Sequence, residues 1–124
     1  MSDVIKPVRL SIIEALEPFV TVTDSFAPED GPDEFAVITQ MRAVRVPSSS
    51  CGDQWEVTAD IDLYRDYKKR GGNSALDDLA GNVIAAIDAI TGYFDIKLNS
   101  TSTNGLRVLD RTVYRRNVNY TFTV

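Results

Sequence analysis

The segment from Trp55 to Leu63 alternates strictly between apolar and polar residues, and this pattern constrains the fold more than any other in the chain. A period of two indicates a β-strand with one buried face and one polar face. The polar positions of this strand include Glu56, Asp60 and Asp62, which therefore share a face. The chain must contain a sheet that is covered on one side.

The first 17 residues predict a helix. From Asp3 to Glu17 the apolar residues recur at spacings of three and four, which places them on one stripe of a helix. Pro7 fits only if the helix starts there, and Pro18 ends it. Residues 19–23 then read as a short β-branched strand.

A second helix is indicated after the turn at residues 68–74. Apolar residues repeat at helical spacing from Leu76 to Ile90, and a glycine at position 92 supplies a stop. We expect Asn73 or Ser74 to cap this helix, with acidic residues at 77 and 78 in its first turn.

The remaining segments alternate between turn formers and strand formers. We predict loops at 24–33, 47–53 and 99–105, and strands at 34–46, 94–98 and 106–124. The order of elements predicts a single α+β domain over residues 1–124, with a mostly antiparallel sheet and two helices packed on one face.

Composition excludes several classes of function. The 124 residues include no histidine and one cysteine, Cys51, so triads based on histidine and histidine metal sites are unavailable. The net charge of −5 opposes tight binding to nucleic acid. No cofactor motif is found, and we expect neither an enzyme nor a cofactor. With no apolar run long enough for a membrane span and no secretory signal, we expect no membrane partner and a location in the cytoplasm.

The acidic row of the alternating strand is the first candidate site. Glu56, Asp60 and Asp62 could bind a divalent cation or act in acid–base chemistry, but no base or nucleophile accompanies them. We therefore favour a solvated strand face.

The arginines near the end of the chain form a second candidate site, made of Arg107, Arg111, Arg115 and Arg116. With tyrosines between them they could face RNA or DNA. Because the rest of the chain is acidic, we favour an ion-paired contact between subunits.

Other motifs are given structural interpretations. Residues 68–73 precede a helix as an anion cradle does, but a capped turn is favoured because the phosphate-binding signatures are missing. Cys51 reads as an incidental thiol. Four aromatic residues are predicted to pack in the core: Trp55, Tyr64, Tyr67 and Phe94.

The order of these pieces resembles the tail-terminator, or tail-completion, proteins of long-tailed bacteriophages. The segments that carry the resemblance are residues 12–16 of the first helix, the acidic loop, the strand 55–64, the break at 70–73, the helix 76–87 and the final strand rich in arginine and tyrosine.

The resemblance implies a structural virion protein of the tail or neck that is assembled in the host cytoplasm. Its subunits would form a hexameric ring that caps the tail tube, stops polymerisation of the tube protein and binds a connector or stopper protein on the head side. DNA would pass through the lumen without specific binding, and Glu56, Asp60 and Asp62 are candidates to line it. Two alternatives remain open: another neck or head–tail adaptor ring protein, and a non-viral α+β module that binds a ligand or a protein.

Overall fold

The structure is a computed structural model that describes residues 3–26, 31–48, 52–108 and 112–124. Side chains are described for these residues except 48, 52, 53 and 104–108. The elements are α1 (Ile5–Leu16), β1 (Thr21–Thr23), β2 (Glu34–Ser48), β3 (Gly52–Asp66), α2 (Gly72–Asp88), β4 (Asp95–Val108) and β5 (Thr112–Thr123).

The strands form one five-stranded sheet in the order β1-β2-β3-β5-β4. Strand β1 runs parallel to β2, and the other three pairings are antiparallel. Strand β3, which contains the alternating segment, lies at the centre with partners on both sides. The predicted fold class, an α+β domain with a mostly antiparallel sheet, is confirmed.

Both helices pack on the same face of this sheet. Helix α1 buries Val8, Ile12 and Leu16, which follow one another at four-residue spacing. Pro7 is the third residue of α1, where its missing N–H costs no helical hydrogen bond. The helix ends before Pro18, as the sequence predicts.

Helix α2 begins earlier than predicted. It starts at Gly72, and the capping position is Gly71, which has a φ of 97° and makes no side-chain capping bond. A Cβ at Gly71 would lie 2.7 Å from the Cβ of Ala75, so only glycine fits there. The predicted cap by Asn73 or Ser74 is wrong, because these residues already lie inside the helix. The acidic residues at 77 and 78 consequently fall beyond the first turn.

The main core lies between the helices and the sheet. Helix α2 contributes five buried apolar residues, and the odd-numbered residues of β3 from Val57 to Leu63 meet them. Val118, Tyr120 and Phe122 of β5 complete this core. A smaller apolar cluster lies on the other face of the sheet: Phe26, Phe35, Val37, Tyr64 and Val113.

The predicted loop at residues 99–105 is wrong, since these residues lie within β4. Their short polar side chains bond across to β5: the Thr101 hydroxyl donates to the carbonyl of Asn117 at 2.8 Å. Such residues favour loops when they bond to their own backbone, but at the border of a sheet they serve an exposed strand equally well.

The prediction for the aromatic residues holds for one of the four. Tyr64 is buried in the smaller cluster, where its ring stacks on Phe35. Trp55 is only half-buried, whereas Tyr67 and Phe94 are exposed, Phe94 to 79%. Among the described residues no helix is long and apolar enough to span a membrane.

Removing the side chain of Ile12 is expected to destabilise the protein by about 2–5 kcal/mol, because Ile12→Ala leaves a cavity in the fully buried main core. Leu10→Ala is the matched control in the same helix, since Leu10 is 53% exposed and its loss is expected to change stability by about 0.5 kcal/mol or less. Urea unfolding measures both. Equal losses would contradict the assigned orientation of α1.

Tyr120 makes the fold sensitive to alkaline pH. Burial of the ring, a hydrogen bond from its hydroxyl to Asp88 Oδ1 at 3.1 Å and the charge of Asp88 raise the pKa of Tyr120 well above 10.0. The unfolded tyrosine ionises near pH 10.0 while the folded one stays protonated. The stabilisation is therefore complete below that pH and is lost as the pH rises above it.

Between about pH 9 and about pH 11, Tyr120→Phe is expected to lose less stability than the unaltered protein loses. Stability is measured as the free energy of unfolding in urea. The control Tyr67→Phe changes an exposed ring and is expected to leave the alkaline slope unchanged. If the free energy of unfolding decreases with rising pH equally in Tyr120→Phe and in the unaltered protein, this role of Tyr120 is contradicted.

Candidate interaction surface on the open face of the sheet

The candidate site lies on the face of the sheet that points away from the helices. We call it the open face and define it by the polar residues that β3 and β5 place side by side there: Thr58, Asp60 and Asp62 on β3, and Asn117, Asn119 and Thr121 on β5. In the register of the two strands, Asp60 lies opposite Asn119 and Asp62 opposite Asn117. Each carboxylate therefore faces an amide.

The three predicted acidic residues share this face but differ in exposure. Glu56 is exposed, Asp60 is half-buried and Asp62 is only 2% exposed. The gradient arises because the smaller apolar cluster, which includes Tyr64, covers the end of the sheet next to Asp62. Only Glu56 and Asp60 present charge to solvent.

Asp62 is held by charge and hydrogen bonds from several directions. The Arg115 guanidinium lies 3.0 Å from Asp62 Oδ2, and Asn117 Nδ2 donates to Oδ1 at 2.8 Å. The Tyr64 hydroxyl also donates to Oδ2 at 3.2 Å. A buried carboxylate requires such donors, because an unpaired charge out of water is costly. The prediction that Asp62 lies on a solvated face is therefore wrong.

Asp60 begins a second set of bonds that crosses three strands. Asn119 Nδ2 donates to Asp60 Oδ1 at 2.7 Å. Asn99 on β4 donates in turn to Asn119 Oδ1 at 2.8 Å and to the hydroxyl of Thr121 at 2.7 Å. These side chains hold one another in fixed orientations, so this face is a preformed polar surface.

The amides of Asn117 and Asn119 were not predicted from the sequence to belong to the candidate site. Asn117 and Asn119 alternate with buried apolar residues of β5, which assigns them to the open face. Their position opposite Asp60 and Asp62 depends on the pairing of β3 with β5, and periodicity alone does not give that register.

The four candidate arginines do not form one described surface. Arg115 lies on the open face with Asp62, whereas its neighbour Arg116 points to the helices, where it pairs with Asp77 of α2 and donates to the Thr101 hydroxyl at 2.9 Å. Arg107 lies in β4, but its side chain is outside the described residues, as is the whole of Arg111. A role for these arginines between subunits stays a prediction.

The remaining motifs of the sequence are the possible metal ligands, the turn at 68–73 and Cys51. Among the described residues, no group of three or more cysteine, aspartate, glutamate or histidine side chains is arranged to hold a metal ion. The turn at 68–73 leads into α2, and the backbone N–H of Lys68 bonds to the Asp66 carboxylate at 2.9 Å. Cys51 lies outside the described residues.

Comparisons with known proteins add no family to this geometry. No protein-family model matches the chain, and a comparison with curated proteins gives no match.

Asp62→Asn is expected to destabilise the protein by about 1.5–3 kcal/mol, because the substitution removes the charge that Arg115 faces. Asp60→Asn is the matched control on the same strand. Asp60 is half-buried, and Asn119 can still donate to the amide oxygen of the substituted residue, so a loss of about 1 kcal/mol or less is expected. Urea unfolding distinguishes the two, and a larger loss for Asp60→Asn would contradict the assigned network.

Proposed function

We propose that this chain is a structural subunit of a phage tail, which assembles as a ring at the head-proximal end of the tail tube, ends tube polymerisation and joins the tail to the head-side connector. The proposal extends the resemblance to tail-terminator proteins. Along the chain, a helix is followed by a strand, a hairpin, a second helix and a second hairpin. This order agrees with the order of segments on which that resemblance rests.

The observation that carries the proposal is the open face of the sheet. Its carboxylates, amides and hydroxyls bond one another across β3, β5 and β4. The side chains lose little further conformational entropy on contact, which favours binding to a large, flat partner surface. A subunit that meets neighbours, a tube and a connector needs several such surfaces.

The lumen of the ring is the proposed place for part of this face. Glu56 is exposed and Asp60 is half-buried, so both can present negative charge to passing DNA and keep the duplex from adhering. Asp62 is left out of this lining, because it is buried and Arg115 balances its charge.

The oligomeric mass in solution tests the proposal. Light scattering over a range of protein and salt concentrations, together with negative-stain images, is expected to show a ring near six subunits, or a ring that appears only when tail tubes are added. A monomer at every concentration that never joins tubes would contradict the proposal and favour a ligand-binding or protein-binding module.

A substitution in the proposed lumen tests the role of its charge. Glu56→Gln is expected to leave ring assembly intact and to slow DNA passage, because it removes an exposed charge without altering the core. Glu14→Gln removes an exposed charge from α1, on the other side of the sheet, and is the matched control. Single-particle ejection assays measure the rate, and equal rates for the two variants would contradict the lumen assignment.

A further inference from the structure

One border of the sheet is only partly covered. Strand β1 pairs with β2 over just three positions, Phe35 to Val37. From Ile38 to Ser48, β2 is paired with β3 on one side, and within the described residues no strand lies on the other. We call this segment the β2 edge. Except at Pro47, which has no N–H, its outward N–H and C=O groups are available to a further strand.

The opposite border of the sheet is formed by β4, which pairs only with β5 among the described strands. No charged residue lies between Lys97 and Arg107 of β4, and the described residues of that stretch are exposed or half-buried serine, threonine, asparagine and leucine. We call the outer side of this strand the β4 edge. Register shifts near Leu98 and Thr103 restrict which strand fits against it.

The two borders differ in charge. Between residues 35 and 52 the chain has two arginines and no acidic residue, and both arginines, Arg42 and Arg45, are exposed. Arg9 of α1 lines a groove of about 240 Å³ beside Ile38, where one carboxylate, that of Asp24, is also present. The β2 edge therefore carries more basic than acidic side chains of its own, and the carboxylates of Glu56 and Asp95 share a groove with its Val46.

The side of the molecule next to β4 carries a small excess of acidic residues, since Arg116 balances Asp77 and Lys97 of β4 is exposed. Helix α2 contains three aspartates and no basic residue. Arg116 contacts both Asp77 of α2 and Thr101 of β4, which places this acidic helix beside the β4 edge. Asp95, exposed at the start of β4, adds a further negative charge.

We infer that the β4 edge of one copy pairs with the β2 edge of the next copy, so that the sheets of neighbouring subunits join into one. The inference rests on the proposed function and names the surfaces through which the ring closes. Strands β2 and β4 run in opposite directions within the sheet, so neighbours placed side by side in the same orientation bring them together antiparallel.

The charges favour this contact over a symmetric one. Pairing of two β4 edges would bring two acidic helices together, and pairing of two β2 edges would bring arginines together. A contact between two different borders uses each border once per subunit and closes into a ring when the rotation fits. Backbone hydrogen bonds hold the two edges together, and the charges determine that a β4 edge meets a β2 edge.

Crosslinking tests which borders meet. In a Cys51→Ser background, Gln40→Cys on β2 and Ser102→Cys on β4 place exposed thiols on the two edges. A short bismaleimide, which tolerates a shift in register, is expected to give a ladder of covalent multimers up to the size of the ring when one chain carries both substitutions. Chains with either substitution alone are expected to remain monomeric on denaturing gels.

Two results would overturn the inference. Covalent dimers from Ser102→Cys alone would show a symmetric contact between β4 strands. A ladder of equal yield when Glu14→Cys on α1 replaces Gln40→Cys would show that the crosslinks do not report on the β2 edge.

Exchange of charge tests the same contact without cysteines. Arg42→Glu with Arg45→Glu makes the β2 edge acidic, and Asp78→Arg with Asp95→Arg makes the β4 side basic. Each double variant alone is expected to need a protein concentration roughly tenfold or more higher for assembly. An equimolar mixture is expected to assemble at the original concentration, because the two variants complement each other when they alternate around an even-numbered ring.

Measurements on the unaltered protein distinguish a failure of the proposed contact from a failure of the proposed function. If it forms rings while the mixture fails to restore assembly and the double-cysteine chain gives no ladder, the contact between the two edges is overturned and the proposed ring stands. If it forms no ring in solution or on tail tubes, the proposed function is overturned and the contact with it. Circular dichroism of each variant confirms that a loss of assembly is not a loss of folding.

Discussion

Burial of one sheet face beneath α1 and α2 is the interaction on which the rest of this structure depends. Strand β3 contributes a buried apolar residue at every second position from Val57 to Leu63, and β5 continues the same layer. At about 25 cal/mol per Å² of apolar surface removed from water, this layer is the main source of stability. Because both helices occupy that face, the polar groups opposite must satisfy one another across the strands. Within the part of the chain that the structure describes, no further strand pairs with β4 or with β2 beyond Val37.

Much of this arrangement follows from the sequence, for a physical reason. Periodicity reports which residues share a face. The alternation of β3 and the helical stripes of α1 and α2 were therefore sufficient to predict these three elements and the α+β class. The start of α2 was missed because Gly71 adopts a left-handed backbone, which no periodic pattern signals. The middle of β4, residues 99–105, was predicted as a loop because serine, threonine and asparagine favour loops in isolation, whereas here they bond to a neighbouring strand.

The candidate site shows the same limit. The sequence assigned Glu56, Asp60 and Asp62 to one face, and the structure agrees. It did not reveal that Asp62 is buried, since that follows from the pairing of β3 with β5, which brings Arg115 and Asn117 within reach. Adjacent arginines likewise read as one basic patch, although Arg115 and Arg116 must point to opposite faces of a strand. Which of these residues form one surface can be determined only when the neighbouring strand and its register are known.

Arg116 has a further consequence, which concerns motion rather than contact. Its guanidinium joins Thr101 on the outermost strand to Asp77 on α2, so the border of the sheet is tied to the helix layer by a side chain as well as through the backbone ladder. Outermost strands usually fray independently of the core. Here, separation of β4 from β5 also breaks the bond of Arg116 to Thr101, so the amide hydrogens of β4 are expected to exchange with solvent more slowly than those of an outermost strand held by the backbone ladder alone.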